Sequence, residues 1–404
     1  MAPRAHNFSA PEAPTQKRIT DPSNVEMDSS WMAVRHRCAK LSLCSSANTY
    51  QKESEMNATT VAVDLAKNVF ELAVADAEWH IVQRHRLNRV RFSRFFVHRP
   101  PCRVVMEACG SAHHWARRLV AEGHAVRLLP AHYVKPYVGR SKTDRADAAA
   151  LIEAARSSRI RAVPIKTLEQ QQLQSLHRLR SQWMSTRQRY LSTLRGILRE
   201  FGIMIPLGPS VAKVHVGLAL AQADSDIPEG LRPALAEMLR EIAPLEEKIL
   251  SVERQLTSLT RADERAQQLR EIPGVGLLTS TALLSTVGDI QRFPSGRHFA
   301  CWLGLTPSER SSAERRRLGK ISKQGDVYCR TLLVHGARSA LLAAHRAQRA
   351  GKPLDRLRHW ALNCERERGH NKATVALANR LARIVWATWK YQRAFDGNWG
   401  NQTA

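Results

Sequence analysis

Residues 60–74 read Thr60-Val61-Ala62-Val63-Asp64-Leu65, then Ala66-Lys67-Asn68, then Val69-Phe70-Glu71-Leu72-Ala73-Val74. Two runs of β-branched and apolar residues at this separation predict two strands at hairpin spacing. A third short run, Trp79-His80-Ile81-Val82, extends the meander. Downstream, a helical stretch near 90–98 precedes the strand Arg103-Val104-Val105-Met106-Glu107. A helix near 114–122 leads into Ala125-Val126-Arg127-Leu128-Leu129, and a helix over about 143–157 closes the unit. The order β-β-β-α-β-α-β-α is that of an α/β sheet with a three-stranded antiparallel start.

The rest of the chain reads as helical. Leu173, Leu176, Leu179, Trp183, Leu191, Leu194 and Leu198 fit one long helix between 168 and 201. Leu235, Met238, Ile242, Leu245, Ile249, Val252, Leu256 and Leu259 then recur at spacings of three and four, the pattern of a coiled-coil seam. Pro244 suits only a first helical turn, so a break is expected near Ala243 with a new helix from Pro244 to about Arg261. Two uses of the seam stay open, an intramolecular helical hairpin and a dimerisation arm. The expected division is an extension outside the fold over 1–57, an α/β domain over 58–160, and a helical coiled-coil region over 161–265. A C-terminal domain over 266–350 and a helical tail over 351–404 complete it. The Ser-, Asn- and Pro-containing extension ends at a second candidate start, Met56.

In 404 residues, 62 Lys and Arg oppose 36 Asp and Glu, a net charge of +26. The first 55 residues carry the two signs in near balance, so the excess lies in the folded part. Such an excess requires a polyanionic partner. With no run of about 18 apolar residues and no amphipathic leader, that partner is nucleic acid rather than a membrane. A hydrophobic content of 43% excludes a disordered basic tail. Seven Cys without a CxxC pair suggest neither a disulfide framework nor a zinc ribbon. With no secretory leader, the expected compartment is the cytoplasm. No P-loop is present, so ATP-driven chemistry is not indicated.

Four carboxylates stand where they are expensive. Asp64 and Glu107 close apolar strands, while Asp144 and Asp147 share one face at a helix start. The helical pair also reads as compensation of the helix dipole, and Asp64 alone as a turn residue. Together they form a set of hard oxygen donors suited to Mg²⁺ or Mn²⁺, ions that neutralise charge in phosphoryl transfer. Ile272-Pro273-Gly274-Val275-Gly276 before a helix looks like a helix-hairpin-helix element, with Gly274 and Gly276 letting backbone N–H groups approach phosphate. Arg315, Arg316, Arg317, Lys320 and Lys323 read as a phosphate-contacting loop. A serine among these cations is a candidate nucleophile, and no residue type singles out which. His335 and His345 are candidate bases, although lone helical histidines are more often structural.

Val63-Asp64-Leu65-Ala66-Lys67, Met106-Glu107-Ala108-Cys109-Gly110 and Lys142-Thr143-Asp144-Arg145-Ala146-Asp147-Ala148 resemble the DEDD domain of bacterial insertion-sequence transposases related to the Piv DNA invertase. Ile272–Gly276, Gly304-Leu305-Thr306-Pro307 and Ile321-Ser322-Lys323-Gln324-Gly325-Asp326 resemble their C-terminal domain, so the likeness runs over about 58–345. The resemblance implies a RuvC-like, RNase H-type fold joined by a coiled-coil region to a helical domain bearing a catalytic serine. It implies a metal-binding tetrad of Asp64, Glu107, Asp144 and Asp147, and a nucleophile at Ser312, where Ala313 replaces the family's glycine, with Ser311 the alternative. It implies DNA strand exchange through a serine–DNA link and a structured bridge RNA as guide, with action on the bacterial nucleoid; the heptad seam and the long stretch of sequence between the carboxylates and the serine lead to the expectation of a homo-oligomer. The rival expectations are a metal-dependent nuclease of the same fold, an invertase without RNA, and a non-enzymatic nucleic-acid-binding protein.

Overall fold

The computed structural model describes residues 59–139, 143–312 and 315–398. The extension expected over 1–57 lies outside them. The chain forms a mixed α/β sheet unit followed by a helical region.

The sheet unit comprises β1 (Thr60–Leu65), β2 (Val69–Ala75), β3 (Ile81–Asn88), α1 (Arg89–Val97), β4 (Arg103–Glu107), α2 (Ala112–Ala121), β5 (Ala125–Leu129), the short α3 (Ala131–Val134) and α4 (Asp144–Arg156). Strand order is β3-β2-β1-β4-β5. β1 pairs antiparallel with β2 and parallel with β4, and β5 is parallel to β4. Residues of β1 alternate strictly: Val61 and Val63 enter a core with Phe70, Phe92 and Trp115, while Ala62 enters a second core under α4. Both faces of the central strands are therefore buried.

The third strand differs from the sequence reading. Trp79 sits in a turn at φ 69°, with the His80 N–H donating to Asp76 Oδ1 at 2.8 Å, and the strand runs on to Asn88. Gln83, Arg84, His85 and Arg86 conceal it because β3 is an edge strand, where polar side chains are tolerated and block further pairing.

In the helical region, α5 (Leu168–Glu200) opens with a capping box between Thr167 and Gln170. α6 (Pro209–Ala221), α7 (Arg232–Arg240) and α8 (Ile242–Leu259) follow. The break expected near Ala243 falls at Glu241, which leaves Pro244 inside the first turn of α8, where its missing N–H costs nothing. α8 runs antiparallel to α5: Arg180 pairs with Glu253 at 2.7 Å and Arg187 with Glu246 at 3.5 Å, so the partners shift in opposite directions. Val252 and Leu256 pack on Leu176, while Leu235 and Ile242 pack on Leu191, Leu194 and Leu198. The heptad seam is thus occupied by this chain's own α5.

The C-terminal part contains α9 (Glu264–Arg270), α10 (Leu277–Val287), α11 (Gly296–Trp302), strands β6 (Pro307–Glu309) and β7 (Leu318–Ile321), and helices α12 (Val327–Arg349), α13 (Arg356–Arg368) and α14 (His370–Tyr391). One hydrophobic core runs from Ala266 to Trp389, so the residues after 350 share it rather than trailing from it. Among the described residues no helix is long and apolar enough to cross a membrane.

His177 on α5 joins this part to the long helix. Its ring nitrogens lie 3.0 Å from Tyr328 Oη and 2.9 Å from Thr281 Oγ1, a set that a neutral imidazole satisfies on both sides. Burial, helped by Arg180, pushes its pKa down to about 4. Burial and the cations Lys166, Arg117 and Arg178 push His113 on α2 down to about 4 as well. Both groups take a proton more readily unfolded than folded, so stability is full above pH ~6.5 and declines as pH falls toward 4. Each contributes up to roughly 3 kcal/mol over that window. Urea unfolding at pH 7 and pH 4.5 is expected to show this loss, and His177→Gln to flatten about half of it.

Candidate active site

The alternation in β1 and β4 decides where carboxylates point. Asp64 follows Ala62 by two and Glu107 follows Val105 by two, and both alanine and valine belong to the α4 face. Val63 pairs with Met106, so Asp64 and Glu107 stand one step further on, side by side at the ends of adjacent strands. Both are half-buried. Their proximity registers on Cys109, whose thiol is pushed up first by burial and further by the charges of Glu107 and Asp64.

Sequence reasoning missed a continuation of this row. Asp64 pairs with Glu71 on β2, and Glu71 with Arg86 on β3, so Glu107, Asp64, Glu71 and Arg86 cross four strands on one face. Glu71 has the same placement signal as Asp64, a carboxylate in an apolar strand, but carries no family string.

α4 crosses this face diagonally. Arg84 donates to the Arg145 carbonyl at 3.1 Å near its start, and Arg127 on β5 donates to the Ala155 carbonyl at 3.2 Å near its end. Thr143 caps it by accepting from the Ala146 N–H at 3.2 Å. Asp144 and Asp147 extend the stripe of Ala148, Leu151 and Ala155 that faces the sheet. Asp144 shares a shallow cleft with Glu71, Arg84 and Arg86. As donors, these carboxylates fit a hard divalent cation. Their spacing does not: among the described residues no three His, Cys, Asp or Glu side chains gather at metal-binding distance. The structure unites Asp64 with Glu107 and places the α4 pair over the same face, short of a single cluster.

The basic stretch expected as a loop is a hairpin. β6 and β7 pair antiparallel, and a Ser312–Arg315 bridge closes its far end. Ser311 and Ser312 are both exposed there, with Arg315, Arg316, Arg317 and Lys320 exposed around them. The Ser311 hydroxyl donates to Glu309 Oε1 at 2.7 Å and accepts from the Arg317 N–H at 3.1 Å. Arg316 Nε reaches the same Glu309 oxygen at 3.3 Å. The Ser311 hydrogen bond, seconded by Arg316, holds the Glu309 carboxyl below its usual range. Glu309 thus accepts a hydrogen bond from a candidate nucleophile, a contact the sequence does not reveal because the two residues meet only once the hairpin forms.

The hairpin's base is rigid. The Ser322 N–H donates to the Thr306 carbonyl at 2.8 Å and the Lys323 N–H to the Gly304 carbonyl at 3.1 Å. Gly304 (φ 71°) and Gly325 (φ 127°) allow backbones to meet there: a Cβ on Gly325 would stand 2.1 Å from the Trp302 carbonyl oxygen. Lys323 itself remains exposed. Of the candidate bases, His345 binds Glu365 at 2.5 Å, and Glu365 binds His370 at 2.7 Å, a tie among α12, α13 and α14. His335 is exposed on α12.

The two glycines assigned to phosphate contact part company. Gly276 is exposed at the start of α10, whereas Gly274 packs on α12, its would-be Cβ 2.4 Å from the Gly336 carbonyl oxygen. Gly274 therefore serves close helix packing, which its sequence motif shares with phosphate-binding turns.

A family model described as Transposase IS116/IS110/IS902 family matches residues 266–352, and a DEDD transposase model of the IS110 type matches residues 61–203. A probable family 20 transposase of Pseudomonas aeruginosa is 40% identical over 82% of this chain and 97% of its own length. The transposase for insertion sequence element IS1111A of Coxiella burnetii is 34% identical over 85% of this chain and 93% of its own. That for element IS1328 of Yersinia enterocolitica is 35% identical over 82% and 96% respectively.

The glycine assignment is open to a stability test. Gly274 has φ 85° and no room for a side chain, so Gly274→Ala is expected to cost roughly 2–4 kcal/mol. Gly276 has φ −90° and open space, so Gly276→Ala is expected to cost under about 1 kcal/mol. Chemical denaturation of both variants measures the difference.

Proposed function

The chain belongs to the IS116/IS110/IS902 family of transposases, enzymes that cleave and rejoin DNA, and from that premise we propose that it exchanges strands through a serine–DNA covalent intermediate. The observation that carries this reading is the hairpin: two hydroxyls held at the end of a rigid two-stranded element, ringed by cations and serving no core. Such cations stabilise charge that develops on an attacked phosphate.

In the proposed reaction the serine Oγ forms a bond to phosphorus while the bond to one strand oxygen breaks. The departing oxygen takes a proton and the serine proton passes to a nearby acceptor. Because the phosphodiester is replaced by a phosphoserine ester of similar energy, rejoining needs no ATP. Ser312 is the nucleophile that the motif resemblance favours. Ser311 is a second reading with its own support, since Glu309 stands ready to receive its proton. Arg315, Arg316, Arg317, Lys320 and Lys323 would hold the DNA backbone, with the exposed N–H groups after Gly276 adding a sequence-independent contact.

The sheet order β3-β2-β1-β4-β5, with β2 alone reversed beside β1, supports assigning the α/β unit to the RuvC-like, RNase H-type fold. Asp64, Glu107, Asp144 and Asp147 would hold Mg²⁺ or Mn²⁺, which supplies charge neutralisation at the phosphate. Their oxygen-donor chemistry and their placement over one sheet face support this set; in this structure the four do not converge on one point. Specificity in this reading comes from a structured bridge RNA, and the protein works on the nucleoid as a homo-oligomer.

The test is strand exchange on supercoiled substrate, with trapping of SDS-stable protein–DNA adducts. Ser312→Ala is expected to lose adduct and exchange by roughly a thousandfold or more. Ser311→Ala losing them instead would move the nucleophile by one residue. If Asp64→Asn abolishes cleavage while both serine variants retain it, the carboxylates hydrolyse DNA alone and the chain acts as a metal nuclease. Sequencing of RNA that co-purifies with the protein tests the guide: one enriched species mapping beside the gene is expected, and only heterogeneous RNA would refute it.

A further inference from the structure

The outward stripe of α14 carries Lys372, Ala376, Arg380, Arg383 and Ala387 at helical spacing, opposite the stripe that fills the core. Together with α13 and the β6–β7 hairpin it bounds a groove of about 1680 Å³. Eight Arg and Lys line this groove against the carboxylate of Asp396. Its floor is apolar, with Ile321, Val375 and Ile384, and aromatic side chains stand along it at Trp360, Tyr391 and Phe395. Tyr391 packs edge-to-face on Trp386 and is still 55% exposed. The Arg380 guanidinium lies 4.5 Å from the Trp360 ring centre and the Arg393 guanidinium 5.9 Å from that of Tyr391. Arg380 is crowded by Arg356 and Arg383, which, after burial, hold its pKa below the ordinary arginine value. Like charges kept together in this way await an anion.

We propose that this groove binds an unpaired DNA strand next to the serine hairpin, with its phosphates on the arginines of α14 and its bases stacked on Trp360 and Tyr391. A duplex hides its bases and would gain nothing from an apolar, aromatic floor; a single strand gains from both floor and rim. One wall of the groove is the hairpin itself, through Pro307, Gly319, Lys320 and Ile321. The hairpin that carries Ser311 and Ser312 therefore borders any strand lying in it, which makes the groove a holder for a strand opened at the scissile phosphate. The choice of DNA rests on the reading of the chain as a strand-exchange enzyme; the chemistry of the groove does not.

The test is fluorescence anisotropy of a labelled 15-nucleotide single-stranded DNA, its duplex, and RNA of the same sequence, with the full-length protein across a salt series. Trp360→Ala is expected to weaken single-strand binding roughly tenfold, the loss of one stacked base. Arg380→Gln with Arg383→Gln is expected to lower the salt slope by about 1.4, or 0.7 for each phosphate contact. Duplex binding should change less than about twofold. Tyr391→Ala, at the exposed helix end, is the second probe should Trp360→Ala fail to fold, and is expected to weaken single-strand binding in the same way. Equal weakening of duplex binding, or no weakening by either aromatic change, overturns the proposal. RNA bound more tightly than DNA through the same residues would overturn the choice of DNA. Adduct trapping reports on the serine and oligonucleotide binding on the groove, so the two readings fail independently.

Discussion

The central strands are buried on both faces, and that constraint orders everything else. β1 and β4 have cores above and below, so an ionised carboxylate inside either strand would lie unpaired in an apolar layer. The first positions that escape are the strand ends. Asp64 and Glu107 occupy those positions, and parallel pairing of the two strands sets them side by side. Crossing of the same face by α4 then brings a helix whose first turn is acidic over the same row. A carboxylate set on one sheet face thus follows from strand pairing and period-two alternation, before any chemistry is invoked.

Charge is divided to match. The acidic row is held in the sheet unit, while the hairpin and α14 collect Arg and Lys with few acidic neighbours. Three of the acids in the basic part have a visible structural task. Glu309 binds Ser311 and Arg316, Asp326 caps α12 by accepting from the Cys329 N–H at 2.7 Å, and Glu365 ties two histidines.

What the sequence disclosed depended on whether the signal was local. β1, β2, β4 and β5 are apolar runs bounded by turn residues, and α5 carries its own capping box, so each was legible within its own dozen residues. β3 was half-hidden because an edge strand wears the polarity of a loop. The hairpin over 307–321 looks like a loop in the sequence because its exposed strands bury nothing that would alternate. Glu71 and Glu309 acquire a role only through a partner across a strand pair. Gly274 was misjudged because a tight turn that packs on a helix and one that cradles phosphate use the same residues. The α14 groove was invisible because Trp360, Arg380 and Lys320 come from three separate elements.

The strongest constraint on mechanism is the short segment between α4 and α5. The Val163 N–H donates to the Leu128 carbonyl at 2.7 Å, Arg117 donates to the Lys166 carbonyl at 2.6 Å, and Pro164 lies against Gly288. Lys166 is half-buried near Asp326, at the end of the loop that follows the hairpin; desolvation lowers its pKa and the Asp326 charge opposes that fall. Sheet and helical part are therefore bonded to one strap at several points, and hinging there means breaking those bonds. The hairpin base is equally fixed through Gly304, Thr306 and Gly325. With both units braced, any movement of the hairpin relative to the sheet means giving up one of these anchors. The long helices add to this bracing rather than to mobility, because α8 packs along α5 through Leu176, Val252 and Leu256 at one end and through Leu191, Leu194, Leu198 and Ile242 at the other.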